Sequence, residues 1–275
     1  MSDHQRIRNS APHRVALLGW SLLSWSLLSW SLLGFASANA QNVPAQPTAT
    51  GATLSIAGVA GAAQAAYFSG NAAELERLAT ATSAWAKSSS TREQYTYAYV
   101  QFRALQVAIG AKRKDVASKA GDACVDTVDA IVKHDPKFAE AFALQSACYG
   151  YMTNLGGMAA IRNGSKSGKS IEAALALEPR NPRILLVDGF GVYFRPKFVG
   201  GDKAKGCVRF REAAAGFDAA AGASSAGIDW GVAESHYWAG RCAQDAGDAN
   251  GARREFERAV TIAPDFLAAK RALTR

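Results

Sequence analysis

From residue 72 to the C-terminal end, apolar side chains recur at helical spacing, with charged and amide side chains between them. Strict alternation never persists, so no strand is expected. The pattern predicts helices over Ala72–Lys87, Arg92–Ile109 and Asp115–Lys133, the last closing before Pro136. Further helices are expected from Ala139, over Lys169–Leu177 before Pro179, from Pro182, over Lys203–Phe217, from Ala233, and over Leu267–Leu273. Between Tyr149 and Gly168 the chain carries Gly150, Gly156, Gly157 and Gly164, which reads as a long connection.

The N-terminal pattern is different. Arg6, Arg8 and Arg14 precede an apolar stretch from Val15 to Phe35, built on tandem Trp-Ser-Leu-Leu units. It closes on Ala38-Asn39-Ala40, whose small first and third residues suit a signal peptidase. A cleavable secretory signal over 1–40 is expected, then a flexible leader over 41–54 with Pro44 and Pro47. The alternative is an uncleaved anchor, since about 20 apolar residues span a bilayer. The recurring serines and the Ala-x-Ala site favour removal. The mature chain is then expected in the periplasm or outside the cell.

Residues 55–275 form the predicted domain, and self-similarity organises it. In the stretch Ala233 to Asp265, Gly240 and Ala252 place small side chains where two helices cross, Phe256 fills the space between helix pairs, and Pro264 forbids continuation of the second helix. With Gly247 and Ala259, these residues resemble nearly all of one tetratricopeptide repeat. The clearest repeats are 139–179, 182–217 and 233–266, with Ser146 and Gly189 standing where Gly240 stands in the last. The junction Tyr193 to Asp202, a proline followed by Gly200-Gly201-Asp202, resembles that of exported tetratricopeptide proteins, including the T component of tripartite periplasmic transporters. The resemblance implies an all-α, right-handed solenoid of antiparallel helix pairs ending in a capping helix at Leu267–Leu273.

Four cysteines in an exported chain allow three pairings. Cys124 and Cys207 share one register in second helices, and Cys148 and Cys242 share another in first helices. Cys124 and Cys148 are also equidistant from Pro136, hence at one height on facing helices. Disulfides Cys124–Cys148 and Cys207–Cys242 are therefore predicted. Four buried free thiols are the alternative. A zinc site is disfavoured because no Cys-x-x-Cys occurs and neither His134 nor His236 falls at a ligand spacing.

Composition adds limits rather than a substrate. Half of the chain is apolar, which excludes wholesale disorder. The net charge is +8, falling to +6 once three arginines and one aspartate leave with residues 1–40. Gly164 to Ser170 imitates a phosphate loop but is one residue short and lacks a preceding strand. Gly189-Phe190-Gly191 lacks the third glycine of a dinucleotide site. No nucleophile elbow or zinc-protease motif is present, so no enzyme, cofactor or metal is expected. Tyr95, Tyr97, Tyr99, Phe102 and Arg103 suggest a nucleic-acid surface, but no nucleic-acid module accompanies them.

By resemblance, the first helix of each pair lines a concave groove. The matching positions are Glu234, Tyr237, Arg241, Gln244 and Asp245 in the last repeat, and Arg183, Leu186, Phe190, Tyr193 and Phe194 in the third. In the second they are Glu140, Ala143, Ala147, Gly150 and Tyr151. The expected occupant is a protein or peptide segment, an acidic one among the candidates, with a transport-accessory role binding a small ligand as the alternative.

Overall fold

The computed structural model describes residues 54–220 and 228–274. The expected signal segment and nearly all of the leader lie outside the described residues. Within them the chain is all-α, eleven α-helices without a strand.

The helices come in sequential antiparallel pairs: α1 (Ile56–Ser69) with α2 (Ala72–Ala81), α3 (Thr91–Gly110) with α4 (Lys114–His134), and α5 (Ala139–Met152) with α6 (Gly157–Leu177). Then follow α7 (Pro182–Phe194) with α8 (Lys203–Ala220), α9 (Val232–Asp245) with α10 (Ala249–Ile262), and the single helix α11 (Leu267–Leu273). Successive pairs stack through α4 on α5 and α8 on α9. Starts are fixed locally. Ser55, Asn71, Ser90, Asn181 and Asp248 accept hydrogen bonds from backbone N–H groups of the first helical turn.

The crossings obey the small-residue rule read from the repeats. A Cβ on Gly240 would stand 2.7 Å from the Phe256 ring, and one on Gly189 2.7 Å from the Phe210 ring. The same contact therefore recurs in two pairs. Both expected disulfides are present, Cys124–Cys148 joining α4 to α5 and Cys207–Cys242 joining α8 to α9, with Cα separations of 6.4 and 5.7 Å. Each ties one helix pair to the next.

Three elements differ from the sequence expectation. Helix α1 carried no usable pattern, because alanine and glycine occupy most of its faces; it folds by burying Val59, Ala63, Ala66 and Phe68. The segment expected as one helix to Lys87 stops at Ala81 and continues as a 3₁₀ turn, Ser83–Lys87. The expected connection from Tyr149 to Gly168 is mostly helix, since α6 begins at Gly157, directly after Gly156 and Gly157 take positive φ values of 83° and 65°. Through its middle, α6 packs on α5 by polar groups, and only its last turns bury Ile171 and Ala174. The Ser146 and Ser167 hydroxyls each donate to the other residue's carbonyl at 2.9 Å, and the Ser170 hydroxyl donates to Gln145 Oε1 at 2.6 Å. An interface of hydroxyls leaves no apolar stripe to read.

Phe68, at the end of α1, stacks on Phe266 before α11 with ring centroids 4.2 Å apart. The first and last helices of the domain thus meet.

Candidate functional site

The inner face is where the repeat resemblance placed the ligand, and it is filled by the chain itself. Trp230, in the segment leading into α9, is buried and stands within 6.1 Å of the Phe102 ring and 5.9 Å of the Tyr99 ring, while its indole N–H donates to the Tyr95 hydroxyl at 3.2 Å. Two guanidinium groups lie over it, Arg103 at 5.7 Å and Arg183 at 5.3 Å from the ring centroid.

Both arginines are 1% exposed, so each needs a full set of partners. Arg103 donates to Tyr99 Oη at 2.9 Å, Gln106 Oε1 at 2.8 Å, Gln64 Oε1 at 2.7 Å, and Glu234 Oε1, and it lies 4.2 Å over the Tyr67 ring. Burial alone would disfavour its charge; Tyr99, Glu234 and Tyr67 outweigh that and hold it more firmly protonated than an ordinary arginine. Arg183 donates to the Trp230 carbonyl and to Glu140 Oε1, both at 2.9 Å. Its Nη2 lies 3.5 Å from Asp229 Oδ1.

These contacts relocate much of the expected groove. Arg183, Leu186, Glu234, Glu140, Ala143 and Ala147 are buried, and Tyr151 packs edge-on against Phe102 at 5.6 Å. Tyr95, Tyr99, Phe102 and Arg103 are likewise interior. His236 is buried too, with Nδ1 2.7 Å from Glu255 Oε2. The imitation phosphate loop at 164–170 is part of α6.

Apart from Gly150, half-buried on α5, the remaining expected residues lie on α7 and α9, and their aromatic members form one rim. Phe190 and Phe194 meet Trp238 edge to face at 5.6 and 5.1 Å, and Tyr193 meets Phe194 at 4.8 Å. Phe194 is 59% exposed and Phe198, on the 3₁₀ turn Lys197–Val199 that follows α7, 88% exposed. The turn is tied back to α7: Asp202 N–H donates to the Val192 carbonyl at 2.9 Å, and Gly201 lies too close to the Arg195 carbonyl to admit any side chain. Arg195, Lys197, Lys203 and Lys205 are exposed around it. Farther along α9, Tyr237 and Arg241 are half-buried, Gln244 and Asp245 exposed, and Asp245 accepts from the Tyr193 hydroxyl at 3.1 Å.

Trp230, Trp238, Phe198 and Arg103 carry this arrangement, and the groove rule selects none of them. Phe198 was visible as part of the junction motif, but its exposure depends on the turn's conformation.

Among the described residues no group of His, Cys, Asp or Glu is arranged to hold a metal ion, and no helix is long and apolar enough to cross a membrane.

Fold and surface together define a helical-repeat protein with two disulfide-tied junctions. Among solved structures, the chain is similar to the HusA haemophore from Porphyromonas gingivalis, with a TM-score of 0.57 and 20% identity over 70% of this chain and 94% of that one. A thermophilic TPR protein from Thermus thermophilus is similar at a TM-score of 0.44 and 12% identity, over 74% and 89% of the two chains. The first is a likeness of fold. No family model matches the chain, and no curated protein matches it.

Proposed function

We propose that the protein is an exported, non-enzymatic adaptor of the tetratricopeptide type, binding a protein or peptide segment through the aromatic rim of Phe190, Phe194, Phe198 and Trp238. The observation that carries this reading is the exposure of Phe194, at the end of α7, and of Phe198, on the turn that follows, while the inner face is occupied by Trp230. Exposed aromatic rings of this size lose free energy to water and recover it against a partner. The cations at 195, 197, 203 and 205 favour a segment that mixes apolar with acidic residues and repel another basic surface. The two disulfides support an oxidising compartment, as the N-terminal signal pattern does. Nucleic acid is not the proposed partner, because of the residues that suggested it Tyr95, Tyr99, Phe102 and Arg103 are interior, and only Tyr97 is half-buried.

The test is chemical cross-linking in the exported fraction with the wild-type chain and with the double variant Phe194→Ser, Phe198→Ser. A partner joined to the wild type and lost from a variant of unchanged circular dichroism supports the reading. Equal cross-linking of both proteins removes the rim from consideration.

A small-ligand role is the second reading, favoured by the flat ring faces at the same rim and by the haemophore fold relative. Titration with haem distinguishes it. A saturable Soret shift that the double variant abolishes makes a porphyrin the occupant.

A further inference from the structure

A cavity of about 260 Å³ lies between α9 and α11, lined by Tyr237, Arg241, Gln244, Ala268, Arg271 and Ala272. Two guanidinium groups, an amide and a phenol face it, and no carboxylate is among the lining. We propose that this cavity binds a small oxyanion, a carboxylate or phosphate group, through Arg241 and Arg271 with Gln244 and Tyr237 as further donors. It stands apart from the aromatic-rim reading and does not depend on it.

Arg241 is the main observation. It lines the cavity beside Tyr237, and its Nη1 donates to the Tyr237 hydroxyl at 3.2 Å, which fixes the guanidinium there. Because the Tyr237 oxygen accepts from Arg241, its own proton is left to donate to a guest. The same contact with Tyr237 keeps Arg241 more firmly charged than usual.

Arg271 is exposed on the last turn of α11 and pairs with no carboxylate among the described residues. Asp245 acts on Arg241 electrostatically from the edge, but it lies outside the lining and is engaged by Tyr193. The planar fork of each arginine suits two-oxygen acceptors, which both carboxylate and phosphate offer. The cavity, open to solvent on one side, accommodates the anionic group and a short attached chain.

The C-terminal ends of α9 and α11 flank the site, and their dipoles disfavour an anion. The competing account is therefore that the arginines merely neutralise two helix ends. Calorimetric titration of the purified chain at low salt, with inorganic phosphate and separately with succinate, decides between them. Saturable binding of at least one probe, weakened about tenfold in Arg271→Gln and in Arg241→Gln as expected for loss of a charge-assisted contact, supports the site. The probe bound more tightly identifies the anion as phosphate or carboxylate. No saturable binding of either, or equal binding by wild type and Arg271→Gln, overturns it. Arg271→Gln sits on an exposed turn, so its result stands even where Arg241→Gln perturbs the packing of Tyr237.

Discussion

Arg103 shows how much of this protein rests on single side chains. It is interior, and the carboxylate it meets belongs to Glu234, separated by 131 residues. Removing one member of such a pair leaves an uncompensated charge where water cannot reach. Glu234→Ala is expected to destabilise by about 3 to 5 kcal/mol, whereas replacing Arg103 and Glu234 together with apolar residues of similar volume costs far less. Urea unfolding of the two variants checks this, and equal losses would show that the pair matters only through its packing. The sequence displayed Arg103 among aromatic residues and Glu234 at a repeat position facing inward. Their pairing was not legible, because helical periodicity reports which face is buried and carries no information about what lies opposite. Trp230 was hidden for the same reason: it sits outside any periodic segment, before α9 begins.

At the scale of the helix, legibility followed contrast. The elements from α7 onward were readable because Gly189, Gly240, Phe210, Phe256 and Pro264 each perform one steric task at a fixed interval. Helix α1 and the first half of α6 were not, since alanine, glycine and serine give no difference between the two sides of a helix. The cysteines were legible because repeats put them in matching registers. Each disulfide closes a loop, with sequence separations of 24 and 35. In the chain-entropy account each contributes about 3 to 4 kcal/mol. Replacing Cys207 and Cys242 with alanine should lower the urea midpoint by a corresponding amount. The matching pair of substitutions at Cys124 and Cys148 should do about the same. A loss confined to one bridge would mean that the other two cysteines already lie close together in the unfolded chain.

For the whole molecule, the buried phenols set the response to pH. Burial pushes Tyr99 up to about 12, and it raises Tyr95 and Tyr67 as well. These groups ionise more readily in the unfolded chain, near the ordinary value of about 10, so their contribution is complete below that pH and lost as pH rises through the native values. The urea midpoint should fall steadily above about pH 10, and phenolate absorbance from these three tyrosines should develop with unfolding rather than ahead of it. Absorbance rising first, with the helical signal intact, would show that the interior is open to hydroxide.

Phe68 stacked on Phe266 has one more consequence. An open stack of helix pairs grows or shrinks by duplication, because an added unit only moves the end. Here the end is already engaged by the beginning. Inserting one more helix pair would carry Phe266 away from Phe68 and Glu234 away from Arg103, so the number of units in this array is fixed by its own clasp. The length of the array cannot change by whole repeats without first abandoning the interior that Trp230 fills.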